Sequence, residues 1–211
     1  MARAPLNRRR LLGIDRSGGP PPETLKGQPL RPWTIPNAIS YVRIALLPVF
    51  LLVALDSGDG RDAWAAALYF AIAWGDQVDG LAARLTGQYS RLGALLDPLT
   101  DRALVIAGVV VCWHFELLPR WALAILVARE LLMLILTQVG LRAGMDLRIN
   151  MVGRWAVWPV MFAIFLAMIV DTWVSEVSLY IGLALTLWAT AIYLADGVRF
   201  LQARRRPSSS T

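Results

Sequence analysis

Four aspartates, Asp76, Asp79, Asp97 and Asp101, fall within 26 residues of one another in an otherwise apolar stretch. A carboxylate inside a membrane span costs roughly 2.5–3.5 kcal/mol on insertion scales, so carboxylates there call for a functional reason. Asp76 and Asp79 are three residues apart and Asp97 and Asp101 four apart, which puts each pair on one face of a helix. Four converging carboxylates repel and hold their protons unless cations neutralise them. An oxygen-only donor set suits hard divalent ions such as Mg2+ or Mn2+ rather than zinc or copper, and two such ions balance four carboxylates. Asp76, Gly80 and Arg84 form one i, i+4 stripe, and Gly93, Asp97 and Asp101 form another. Gly80, Ala83 and Gly93 leave room for a close helix or a ligand, and Arg84 offers a planar fork for phosphate oxygens. Metals and an arginine around a cleft can stabilise a pyrophosphate under attack. Two plainer readings compete: an ion path in a transporter, or salt bridges to Arg84 and Arg102. Neither explains why glycines and an arginine share the helical phase of the carboxylates.

The elements that must position these residues follow from composition. The chain has 211 residues, 57% hydrophobic and 17% charged, with a mean hydropathy of +0.53. A soluble domain carries about a quarter charged residues, so a small polytopic membrane protein is predicted, all α-helical. One cysteine, Cys112, excludes a disulfide framework and a cysteine-based zinc site. One histidine, His114, argues against a histidine-ligated metal. Both read as packing residues near the outer end of the third span. Of 21 basic residues only Lys26 is a lysine. These charges sit in tails and alternate loops, the pattern that sets membrane topology, so nucleic acid is not expected as a partner.

Six apolar segments lie at about 38–56, 63–83, 93–115, 118–140, 151–171 and 176–200, separated by breakers such as Asp56-Ser57-Gly58-Asp59-Gly60 and Leu118-Pro119. Lipid offers no partner to unpaired backbone groups, so such segments are expected as transmembrane helices. Residues 1–35 read as a disordered basic cytoplasmic arm, 36–203 as the six-helix domain, and 204–211 as a disordered tail. Arginines concentrate in the N-terminal arm, the 84–92 and 141–154 loops and the C-terminal tail, which predicts both termini in the cytoplasm. Trp33, Trp113, Trp121, Trp155 and Trp173 lie near span ends and read as interfacial anchors. An arginine-rich, lysine-poor chain suggests a GC-rich bacterial genome, and so a location in the cell membrane with the site facing the cytoplasm.

Written out, the central segment is Asp76-x2-Asp79-Gly80-x2-Ala83-Arg84-x8-Gly93-x3-Asp97-x3-Asp101. It resembles the signature of the CDP-alcohol phosphatidyltransferases, with eight fixed positions and both long gaps intact. Ile35-Pro36-Asn37-Ala38-Ile39-Ser40-x2-Arg43 is similar to that family's lead-in to the first span. The resemblance implies attack of an alcohol on the β-phosphorus of CDP-diacylglycerol, with release of CMP. It implies two Mg2+ or Mn2+ ions on Asp76, Asp79, Asp97 and Asp101, with Asp101 also the base. It further implies donor contacts from Asn37, Ser40, Gly80, Arg84 and Ser90. Family members are commonly homodimers, so a homodimer is expected here too.

The acceptor is read from basic residues farther along. Arg129 inside the fourth span, Arg142 in the following loop and Arg154 at the start of the fifth are expected to bind an acceptor phosphate. Arg148 reads as topological. The Ala128-Arg129-Glu130 run and the Ile-Pro-Asn lead-in resemble the phosphatidylglycerophosphate synthase branch, whose acceptor is glycerol 3-phosphate. Gly153-Arg154 departs from the Gly-Lys of many members of that branch. Cardiolipin synthases of the same family share the lead-in and would take phosphatidylglycerol. Phosphatidylinositol-phosphate synthases are less favoured, because they tend to have Pro-Asp where this chain has Pro-Asn. The non-enzymatic rival is an ion-coupled transporter.

Overall fold

A computed structural model of the chain describes residue 24, residues 29–142 and residues 151–205. The expected arm (1–35) and tail (204–211) lie largely outside them, as do Arg148 and the side chains of Arg142 and Arg154. Among the described residues the chain is all helical, with six α-helices. They are α1 (Ile35–Asp56), α2 (Ala63–Thr86), α3 (Arg91–His114), α4 (Arg120–Arg142), α5 (Met151–Ala167) and α6 (Trp173–Arg205). Each corresponds to one predicted apolar segment. Two ends differ from expectation. The fifth helix stops at Ala167, and the sixth continues through Arg205, into what the sequence suggested was tail.

Local chemistry explains the boundaries that frame the site. Thr34 caps α1, its hydroxyl accepting from the Asn37 N–H at 3.3 Å, and Pro36 occupies the first turn where no amide partner is needed. Beyond Asp56, Gly58 and Gly60 take φ of 82° and 77°, the left-handed region that side chains resist. Pro98 lies within α3 between Asp97 and Asp101, and removes one hydrogen bond from that turn.

The helices form two compact units. The first comprises residues up to Ser57 with Ala63–Ala107, and α1 packs along α2 within it. Its apolar centre includes Phe50, Ala54, Tyr69 and Ile72, with the Phe50 and Tyr69 rings 5.4 Å apart. The second comprises Gly58–Asp62 with Gly108–Thr211, and α5 and α6 pack closely in it. A Cβ at Gly182 would come within 2.6 Å of Val160 Cγ2 and 2.8 Å of its backbone nitrogen, so this crossing requires glycine.

Two helices are long and apolar enough to cross a membrane, Ile35–Asp56 and Trp173–Arg199. At 22 residues α1 is about 33 Å long, enough for a hydrocarbon core of about 30 Å. Helices α2, α3 and α4 are less apolar because they carry Asp76, Asp79 and Arg84, then Arg91, Asp97, Asp101 and Arg102, then Arg120, Arg129, Glu130 and Arg142. The α5 helix is short, at 17 residues. On α1, Asn37, Ser40 and Arg43 are buried together with Phe50 and Ala54, while Val42, Val49 and Leu52 are exposed. The five tryptophans near predicted span ends are all exposed.

Candidate active site

Asp76, Asp79 and Asp101 come together around one residue of α1. The side chain of Arg43 is 3% exposed. Its Nη1 donates to Asp79 Oδ2 at 3.1 Å and stands 3.7 Å from Asp76 Oδ1, and its Nη2 donates to Asp101 Oδ1 at 2.7 Å. Its Nε donates to the Ile72 carbonyl at 2.8 Å. One guanidinium thus ties a carboxylate pair on α2 to a carboxylate on α3. The fourth aspartate is held one helical turn back on α1, where the Ser40 hydroxyl donates to Asp97 Oδ1 at 3.2 Å. All four carboxylates of the motif meet the face of α1 that carries Ser40 and Arg43.

Exposure divides these carboxylates. Asp79 is 4% exposed, whereas Asp76 and Asp101 are 36% and 38% exposed. The glycines serve approach. A Cβ on Gly75 would meet Arg43 Cδ at 2.7 Å and Cγ at 2.9 Å, so Gly75 is the gap through which Arg43 reaches its partners. The Arg84 guanidinium lies over Gly80, with Nη1 3.4 Å from where a Cβ would stand.

A second cluster closes the end of the site. Ser90 Oγ donates to Asn37 Oδ1 at 2.7 Å and accepts from the Gly93 N–H at 2.9 Å. Asn37 Nδ2 donates to the carbonyls of Arg31 and Pro32 at 3.0 and 3.1 Å. The Ile35 N–H donates to Gln88 Oε1 at 3.0 Å, and a Cβ on Gly93 would sit 2.7 Å from Asn37 Oδ1. These bonds join the start of α1 to the α2–α3 loop.

Of the residues the sequence singled out, Asp76, Asp79, Asp97, Asp101, Asn37, Ser40, Gly80, Arg84, Ser90 and Gly93 all lie in the first unit. Arg129 lies in the second, 10% exposed, its Nη1 paired with Glu130 and its Nε donating to Thr190 Oγ1 at 3.0 Å. Glu130, the next residue along α4, supplies the anion that a buried Arg129 needs. Cys112 is buried, and His114 packs edge-on to Phe115 at 4.7 Å.

Sequence reasoning named Arg43 in the lead-in to the first span but gave it no role, and it passed over Gly75. The signal for Arg43 was there: a buried arginine needs an anion, and Arg43 follows Ser40 by three residues, on the same face. Gly75 stands outside the motif, and only the path of Arg43 reveals its purpose.

Among the described residues no three His, Cys, Asp or Glu side chains stand at metal-ligand spacing, and the Arg43 guanidinium occupies the centre of the carboxylates. The donor set still suits hard cations. It is oxygen-only, it comes from two helices, and three of its members already gather about one positive charge.

Residues 33–188 match the sequence profile described as CDP-alcohol phosphatidyltransferase. The chain belongs to this family. It is 32% identical over 204 residues to a cardiolipin synthase (CMP-forming) of Streptomyces coelicolor, covering 93% of this chain and 95% of that protein. It is 32% identical over 144 residues to a CDP-diacylglycerol–glycerol-3-phosphate 3-phosphatidyltransferase of Bacillus subtilis, covering 63% and 75%. A protein of that same name from Shigella flexneri is 30% identical over 176 residues, covering 77% and 94%. This CDP-alcohol phosphatidyltransferase is therefore an enzyme of phospholipid biosynthesis, with bacterial relatives and a membrane-embedded, generally divalent-metal-dependent family.

Proposed function

We propose that this phosphatidyltransferase joins the phosphatidyl group of CDP-diacylglycerol to a hydroxyl of a glycerol-bearing acceptor and releases CMP. The observation that carries this reading is the gathering of the motif's four carboxylates on Ser40 and Arg43. Asp76, Asp79, Asp97 and Asp101 are the residues to hold two divalent ions. Such ions, when bound, draw off the charge that builds on the pyrophosphate.

The chain's own groups do the rest. The acceptor oxygen attacks the β-phosphorus, the bond from that phosphorus to the oxygen retained by CMP breaks, and the hydroxyl proton passes to Asp101. Asp101 is the more exposed end of the Arg43 pair, 38% exposed against 4% for Asp79, and so is the carboxylate placed to take that proton. Arg84, lying across Gly80, is the fork for the nucleotide's diphosphate. Ser40 orients Asp97 and lines the donor side. Asn37 and Ser90 are committed to each other, and we assign them the shaping of the cytidine end.

For the acceptor we favour phosphatidylglycerol, which would make the product cardiolipin. Two observations support it: the relative named cardiolipin synthase aligns over nearly its whole length, and the charge of Arg129 is already met by Glu130. An arginine so paired is a weaker receptor for the doubly charged phosphate of glycerol 3-phosphate. Glycerol 3-phosphate is the second reading, supported by the Bacillus relative, and it would need Arg142 and Arg154 to supply the positive charge. Six spans, with both termini and the cleft on the cytoplasmic side, complete the proposal on the arginine distribution and the exposed apolar residues of α1, and a homodimer is proposed on the family resemblance alone.

The test is an acceptor screen with purified protein, CDP-diacylglycerol and Mg2+ or Mn2+. CMP release with phosphatidylglycerol well above that with glycerol 3-phosphate or inositol phosphate is expected. Release with glycerol 3-phosphate alone would replace the first reading with the second. No release with any of the three would refute both.

A further inference from the structure

We infer that Arg43 is a built-in counter-cation: its guanidinium and the divalent ions draw on the same carboxylates, so that Arg43 competes with those ions while holding the aspartates in place. The inference rests on the reading of those aspartates as divalent-ion ligands.

The geometry is specific. Arg43 bonds Asp79 Oδ2 and Asp101 Oδ1 and stands within 3.7 Å of Asp76 Oδ1, three of the four expected ligands. An oxygen engaged by a guanidinium has less lone-pair density to offer a metal, and a positive charge this close opposes the arrival of another. The side chain is also anchored where it stands. Its Nε bond to the Ile72 carbonyl fixes the guanidinium plane, and the absence of a Cβ at Gly75 admits its stem. Asp79 is nearly sealed with Arg43, whereas Asp101 and Asp76 are more than a third exposed. Asp76 and Asp101 are therefore the carboxylates that would reach a divalent ion first, and the bonds to Asp79 and Ile72 would keep the guanidinium beside the cleft.

Competition and simple clamping predict different results. A clamp that only ties α1 to α2 and α3 loses stability on mutation equally with or without metal, and leaves metal affinity unmoved. A competing counter-cation, once removed, leaves metal affinity tighter and makes stability depend on metal, because bound ions now do what the arginine did.

The experiment measures Mn2+ binding to the full-length protein in detergent by electron paramagnetic resonance, and thermal unfolding with Mn2+ or with chelator. For Arg43→Gln the expected result is a Kd at least tenfold tighter than wild type, with a larger gap between the unfolding temperatures in Mn2+ and in chelator. An unchanged or weaker Kd overturns the proposal. If Arg43→Gln cannot be purified, Gly75→Ala takes its place. Its methyl group displaces the arginine stem without removing the charge, in a substitution that favours helix formation. Mn2+ affinity is then expected to tighten severalfold, and no tightening overturns the proposal. Absence of Mn2+ binding in wild type overturns the metal reading itself as well, whereas wild-type binding that Arg43→Gln leaves unmoved removes this inference alone.

Discussion

At the scale of single residues, this site is a question of how four negative charges share a small space. Arg43 answers part of it, and the unequal exposure of the carboxylates assigns different tasks to them. Asp79 is sealed with the arginine; breaking a buried pair of that kind costs about 3–5 kcal/mol. Asp101 is open enough to meet a substrate hydroxyl. Asp101→Asn keeps an oxygen that can still accept from Arg43 but no longer takes a proton. It should fold normally and lose roughly 10²- to 10⁴-fold in kcat, measured as CMP release at saturating acceptor. Activity within tenfold of wild type would remove Asp101 as the base. The four aspartates were legible in the sequence because spacing and apolar surroundings both mark them. Arg43 was not marked in the same way, because its importance depends on α1 lying across α2 and α3, and no local pattern encodes that.

At the scale of elements, the sequence announced six helices through apolar length and breakers, and all six are present among the described residues. The errors were at ends. The α5 helix stops early at Ala167, and α6 carries helix through Arg205 although its final turns are polar, since charge alone does not end a helix. The junction between α1 and the α2–α3 loop was invisible to periodicity, because Asn37, Ser90 and Gly93 meet only in space. Ser90→Ala removes the donor to Asn37 Oδ1 and leaves that buried oxygen without it. The expected destabilisation is about 1–3 kcal/mol, seen as an earlier thermal unfolding midpoint in detergent. A midpoint unchanged from wild type would show that the junction is not a stabilising element.

At the scale of the whole molecule, the described charges divide between paired ones, such as Arg43 with Asp79 and Asp101 and Arg129 with Glu130, and others for which a topological role is proposed. Helix α1 exposes Val42, Val49 and Leu52 while it buries Asn37, Ser40 and Arg43 beside Phe50 and Ala54, an arrangement suited to lipid outside the helix. The proposed orientation places the α2–α3 loop in the cytoplasm and the α1–α2 loop outside. In a Cys112→Ala background, a cysteine at Asp59 should react with a membrane-impermeant thiol reagent on intact cells, and one at Gln88 only after permeabilisation. The reverse pattern would invert the topology and put the cleft on the wrong side for a cytoplasmic nucleotide donor.

The central claim, that aspartates from α2 and α3 form one divalent-ion cleft, is tested most directly by Mn2+ binding to the single Asp→Asn variants of the full-length protein. Two ions per chain are predicted for wild type. Affinity should fall at least tenfold in each of Asp76→Asn, Asp79→Asn, Asp97→Asn and Asp101→Asn, and be unchanged in Asp56→Asn, an exposed carboxylate at the far end of α1. Equal binding by all five variants, or none by wild type, would contradict it.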